Sequence, residues 1–238
     1  MFKKRSSKKS QPKYVKRRAV MRRSTYSPYT SIRGTNPQNS VVFKGKGFPD
    51  RLTTNLVYSD TILLDPSAGT PCPNKTYNLA GCFDPDFSIG GTQPTYWDQL
   101  SLIYSRYIVN GAKITATFSR QTTTASGIGP YICGIQTSDN SSIVSTNAQV
   151  LMSSPNTSFR VVSQEDGSQS VVATYSMKNT YPDFQASLQA RVNANPVLNW
   201  YAKIFAAPQG VDVENPINCV IIIEYNVTFS DVLQVVDA

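Results

Sequence analysis

Twelve cations stand in the first 34 residues: Lys3, Lys4, Arg5, Lys8, Lys9, Lys13, Lys16, Arg17, Arg18, Arg22, Arg23 and Arg33. No Asp or Glu accompanies them, and the first acid in the chain is Asp50. The chemistry open to such a block is phosphate neutralisation. Each Lys or Arg that meets a phosphate releases condensed counterions, with little regard to base sequence. Guanidinium groups add bidentate pairing, whereas each ammonium acts as a point charge. Tyr14, Tyr26 and Tyr29 are interleaved with the cations. They are placed either to stack on unpaired bases or to pack where this segment joins the rest of the chain. Lys3-Lys4-Arg5 and Lys16-Arg17-Arg18 also have the composition of a nuclear import signal.

The other side chains exclude more than they offer. The chain has no histidine, so Ser-His-Asp and Cys-His nucleophiles and histidine acid–base steps are ruled out. Histidine-metal enzymes of the cupin type are ruled out with them. Cys72, Cys82, Cys133 and Cys219 lack C-x-x-C spacing, so they do not form a zinc set and are expected to be free, mostly buried thiols. Asp84 and Asp86 invite a calcium reading, but such an ion needs six to eight oxygen ligands. Pro85 between them and Gly90-Gly91 beyond point instead to a turn. No catalytic group, metal or cofactor is assigned, and an enzyme is not expected.

The net charge of +8 conceals a division. Residues 1–34 carry +12, while the remaining 204 residues hold 11 basic and 15 acidic side chains, a balance of −4. A block of this charge density has almost nothing apolar to bury and cannot fold alone. The sequence therefore predicts a disordered arm over 1–34, a connecting segment over 35–50 and a globular domain over 51–238. Lys44 and Lys46 extend the basic character into the connecting segment, facing either nucleic acid or solvent. No apolar run approaches the roughly 18 residues of a membrane span, and no apolar segment follows the basic start, so neither membrane insertion nor secretion is expected. Without secretion, the sequons at Asn74, Asn140, Asn156 and Asn226 read as chance matches.

Beyond residue 50 the pattern is that of strands. Tyr107–Ser119 sets Ala112, Ile114, Ala116 and Phe118 on one face and Lys113, Thr115, Thr117 and Ser119 on the other, as a half-buried antiparallel strand does. Leu52–Leu64, Tyr131–Gln136, Ser158–Val162, Ser170–Met177, Leu198–Ala206 and Asn218–Phe229 add six more, with a weaker eighth near Ala186–Val192. In Asn218–Phe229 both alternating sets are apolar, which predicts burial on both faces. Trp200, Tyr201 and Lys203 are expected to pack in the core or an interface. Pro71 and Pro73 mark a loop. One helix is predicted over Tyr96–Tyr104, where Trp97, Leu100 and Tyr104 fall at helical spacing behind Pro94. Eight strands with long connections predict an all-β protein: a single eight-stranded antiparallel jelly-roll sandwich behind a disordered basic N-terminal arm.

One stretch has a further bearing. Residues 79–118 contain Leu79-Ala80-Gly81-Cys82-Phe83-Asp84-Pro85-Asp86, then Gly91-Thr92-Gln93-Pro94 and Tyr96-Trp97-Asp98-Gln99-Leu100, then Tyr104, Tyr107, Val109 and Lys113-Ile114. This resembles the capsid proteins of small circular single-stranded DNA viruses that encode a replication initiator, the circovirus-like group. In that group the segment leads through a tyrosine-bearing turn into the strand conventionally called C. The arm departs from the group in being short and in having more Lys.

The resemblance implies a coat protein that assembles into an icosahedral shell of about 60 copies. Such a shell would present roughly 720 arm cations to a packaged single-stranded circular DNA genome. It implies as partners the viral genomic nucleic acid, other copies of the chain, a host nuclear import receptor and a cell-surface receptor. It places the protein in the virion and, during assembly, in the host nucleus. The coat of a small single-stranded RNA or satellite virus would share the arm and the jelly roll. A cellular nucleic-acid-binding protein with a basic tail would share the arm but predicts a basic body, against the balance of −4.

Overall fold

The computed structural model describes residues 40–42, 47–67, 70–88, 92–120, 129–163, 165, 167–183, 185–209 and 216–233. Residues 1–34, with all twelve expected phosphate-binding cations and the three interleaved tyrosines, lie outside the described residues. So does most of 35–50, including Lys44 and Lys46.

The described residues form ten strands in chain order: β1 (Ser40–Val42), β2 (Arg51–Leu64), β3 (Asn74–Asn78), β4 (Tyr104–Arg120), β5 (Tyr131–Ser138), β6 (Thr157–Val162), β7 (Gln169–Ser176), β8 (Gln189–Arg191), β9 (Tyr201–Pro208) and β10 (Ile217–Val232). Among the described residues four short helices lie in the connections: α1 (Trp97–Ser101), α2 (Ala148–Ser153), α3 (Met177–Thr180) and α4 (Gln185–Leu188). All pairings are antiparallel.

The first sheet runs β1-β2-β10-β4-β7, with β8 also paired to β4. The second runs β3-β9-β5-β6. With the three-residue strands β1 and β8 set aside, the eight others pair in the order first-eighth-third-sixth and second-seventh-fourth-fifth. This is the double Greek-key winding of an eight-stranded sandwich. The fold is a jelly roll.

Alternation builds the core between the sheets. In β4, Ala112, Ile114, Ala116 and Phe118 are buried, and in β10 Ile217, Cys219, Ile221, Ile223, Tyr225, Val227 and Phe229 are buried. Tyr58, Tyr77, Tyr107, Tyr131 and Ile204 fill the space between. Three buried tyrosine hydroxyls find acceptors: Tyr77 donates to Asp60 at 2.7 Å, Tyr107 to the carbonyl of Ala194 at 3.0 Å and Tyr225 to that of Asn78 at 2.5 Å. Buried polar atoms without such partners would cost stability. All four cysteines are free and buried. Burial pushes the thiols up, to about 11 at Cys72 and about 12 at Cys219.

Four expectations need correction. The eighth strand of the sandwich is β3 rather than the segment near Ala186–Val192, which shrinks to β8. The sequence Asn-Lys-Thr-Tyr-Asn of β3 is polar and short, so alternation does not reveal it; its pairing with β9 fixes it. The 79–104 segment therefore connects the second strand of the sandwich to the third, and its tyrosine-bearing turn enters β4 rather than the strand called C.

The helix is shorter than Tyr96–Tyr104. Tyr96 adopts a left-handed conformation (φ 68°) just before α1. At the other end Tyr104 already pairs with Val232 in β10.

The strand with two apolar faces is not buried on both. On β10, Val220 and Ile222 are exposed, whereas β5 and β9 are buried along nearly their whole lengths. The cause is the β5–β6 connection, residues 139–156, which folds over the outer face of the second sheet. Its Leu151 packs with Ile132, Phe205 and Ala207 in a second apolar cluster flanked by Ile143, Ala148 and Met152. No comparable cover lies over β10 among the described residues.

Candidate nucleic-acid interface

The described cations divide by what surrounds them. Lys203 is buried, donating to Ser138 Oγ and to the carbonyl of Asn140 at 2.8 Å. Burial lowers its ammonium to about 8, with Asp139 opposing the shift. It pins the β5–β6 connection and offers nothing to a ligand. Trp200 and Tyr201 pack as expected, edge-on to Tyr181 and Phe87 respectively. Lys75 holds Asp86 at 2.7 Å. Burial raises the Asp86 carboxyl, but Lys75 and two bonds from Ser88 more than reverse this and leave it below the usual range. The expected turn at Asp84-Pro85-Asp86 is thereby built from Asp86, Ser88 and Lys75. Arg120 lies over the Tyr131 ring, 5.1 Å from its centroid. Lys113 faces Glu224 at 3.2 Å.

Arg51, Arg106 and Arg191 behave differently. In β4, Tyr107 and Val109 point into the sandwich, so Arg106 points out. The same alternation puts Arg51 outside Leu56 and Tyr58 on β2, and Arg191 outside Ala190 on β8. Register then brings them together. Arg51 pairs with Ser230, Ser230 with Arg106, and Arg106 with Arg191. The three arginines therefore stand in one row on the outer face of the first sheet. β1 extends the row, setting Val42 opposite Arg51.

Beside the row lies a ladder of amides and hydroxyls. Asn226 donates to Asn55 at 2.8 Å, and Asn110 donates to Asn226 at 2.9 Å and to Thr228 at 2.8 Å. Thr228 meets Thr53 at 2.8 Å, and Gln189 donates to Ser230 at 3.2 Å. A bulge between Asn226 and Val227 sets Asn110 across from this pair. Bulges re-aim side chains in this way. Asp231 lies 3.4 Å from Arg106, with both groups about half exposed, and Asp50 is next to Arg51 in sequence.

The 79–104 segment is structural. Trp97, expected in the core, is 1% exposed and packs edge-on to Tyr107 at 4.8 Å, with Phe229 at 5.6 Å. Leu100 is half-buried against the same cluster, and the Tyr104 hydroxyl donates to the carbonyl of Pro49 at 2.9 Å. Asn78 holds the turn, accepting from the backbone N–H groups of Ala80 and Gly81 at 3.0 Å each and donating to Asn199 at 2.7 Å.

No family model and no curated protein matches the chain. Solved structures do. A BFDV capsid protein in decameric form is 14% identical, covers 76% of this chain and 99% of its own, and superposes with a TM-score of 0.42. Desmodium yellow mottle tymovirus gives 12%, 86%, 100% and 0.41 in the same order. A virus-like particle of a nodavirus of the giant freshwater prawn Macrobrachium rosenbergii gives 10%, 79%, 97% and 0.45. Likeness at this level carries no argument about function, and the fold assignment stands on the strand order.

Proposed function

We propose that this chain is a viral coat protein. Copies of the jelly roll assemble into a closed icosahedral shell, and the basic N-terminal segment neutralises a packaged single-stranded genome. The observation that carries the reading is the joining of two opposites in one chain: an acid-free block of twelve cations and a remainder, folded as a jelly roll, whose balance is −4. The block binds phosphate wherever it finds it. The acidic balance of the rest of the chain disfavours indiscriminate binding of nucleic acid there and leaves surface available for contacts that close around symmetry axes. The chain's 79–118 motif favours a single-stranded DNA genome and a shell of about 60 copies over the RNA alternative. Lys3-Lys4-Arg5 and Lys16-Arg17-Arg18 serve nuclear import before assembly. The role is structural rather than enzymatic.

The test is deletion of residues 1–34. The deleted chain should keep the circular dichroism and melting behaviour of the sandwich while its particles lose their nucleic acid. Particles of the deleted chain with as much nucleic acid as the full chain would contradict the assignment of packaging to the block.

A further inference from the structure

The arginine row is the strongest charged feature of the folded domain that the reading above leaves unused. We propose that Arg51, Arg106 and Arg191 form a binding site for the phosphodiester backbone of single-stranded nucleic acid. The strand would run across the first sheet from β2 to β8. The proposal rests on the packaging reading and adds where on the folded domain the strand is held.

Three observations carry it. The first is register. Arg106 and Arg191 are direct partners on adjacent strands, and Arg51 joins the same row two strands away. Neighbouring strands lie about 4.8 Å apart, so the row spans about 15 Å of backbone. That length accommodates several phosphates of an extended strand.

The second is the charge arrangement. Like charges directly opposite each other on neighbouring strands are unfavourable. Asp231 meets only Arg106, at 3.4 Å and in an exposed, screened pair. Among the described residues no carboxylate ion-pairs with Arg51 or Arg191. An anion bridging the row relieves this repulsion, and guanidinium forks match phosphate oxygens bidentately.

The third is the neighbourhood. Thr53, Asn55, Asn110, Gln189 and Thr228 flank the row with neutral hydrogen-bonding groups. The next carboxylate along β10 on this face, Glu224, is taken by Lys113. Contacts from the row to phosphates would position a strand without reading its sequence.

The experiment compares the full-length chain with the R51Q/R106Q/R191Q variant, both freed of nucleic acid by nuclease and high salt. Fluorescently labelled oligothymidylate and oligouridylate of about 30 nucleotides are titrated between about 50 and 200 mM salt. Each phosphate contact on a single strand contributes about 0.7 to the slope of log K against log salt, so the triple variant should lose about 2. At about 0.1 M salt this corresponds to roughly 100-fold weaker binding. Triple Arg→Lys substitution should keep most of the slope. Arg160→Gln, an exposed site on the second sheet, should leave it unchanged. If the triple Gln variant fails to fold, R51Q/R191Q carries the test with an expected loss of about 1.4.

Equal losses on DNA and RNA support backbone recognition, and a loss on one alone shows which source the row prefers. An unchanged slope in a variant whose parent binds both oligonucleotides overturns the row and leaves the packaging reading intact. Failure of the parent chain to bind either oligonucleotide overturns both.

Discussion

Lys203, 1% exposed on β9, donates its ammonium protons to the carbonyl of Asn140 at 2.8 Å and to the hydroxyl of Ser138. A cation sealed under a loop is costly unless its hydrogen bonds are made, and it stays ionised less readily than a lysine in water. Here it fixes the start of the β5–β6 connection. Gln136 on β5 adds a second tie by accepting from the N–H of Val144 at 3.1 Å, and Thr76 on β3 adds a third by donating to the carbonyl of Ser141 at 3.0 Å.

The pH dependence follows with a definite sign. Burial lowers the folded-state value of Lys203 to about 8, against 10.5 as the ordinary value. Below pH 8 the group is charged in both states and the fold bears the cost. Between 8 and 10.5 the unfolded chain holds more protons, so this residue's contribution to stability rises with pH. The buried cysteines act oppositely: their raised folded values give stability that is present below about pH 9 and lost above it. Lys203→Met isolates the lysine. The stability of the wild type relative to the variant should improve by on the order of 2–3 kcal/mol from pH 8 to 10.5. Urea titrations of both proteins across that range measure it.

Gly134 on β5 leaves no room for a side chain. A Cβ there would stand 2.6 Å from the carbonyl oxygen of Ser158 and 2.7 Å from the Phe205 ring. Both neighbours belong to paired strands and cannot yield freely. Gly134→Ala should destabilise by about 1–3 kcal/mol, as overpacking of a filled site does. The shift of the urea midpoint at constant m-value reads it.

Trp97 joins the 79–104 connection to the core through Tyr107 and Phe229 and packs on Phe83 within the connection. Trp97→Ala should cost about 3–5 kcal/mol. Tyr225→Phe, which strands the carbonyl of Asn78, should cost about 1–2 kcal/mol. Both residues lie in the main hydrophobic core between the sheets. Their effects should therefore depart from additivity in the double variant.

How far the sequence discloses this molecule depends on whether a feature is local. β4 and one face of β10 are legible because alternation follows the two-residue period of a strand. β3 is not, since five polar residues become a strand only by pairing with β9. Both faces of the centre of β10 look alike in sequence, yet Ile221, Ile223 and Tyr225 are covered while Val220 and Ile222 are exposed. The cover over the other sheet comes from residues 139–156, which no periodicity announces. Among the cations, the N-terminal block is evident from composition alone. The row of Arg51, Arg106 and Arg191 is not, because registers across four strands bring together residues far apart in the chain.

The central claim, a shell that packages nucleic acid, is tested most directly by negative-stain microscopy of the recombinant full-length protein. The 260/280 nm absorbance ratio of any particles is recorded before and after DNase or RNase. The account predicts uniform closed spheres holding nuclease-protected nucleic acid. Only small soluble species, across several salt and pH conditions, would contradict it and favour a tailed nucleic-acid-binding protein instead.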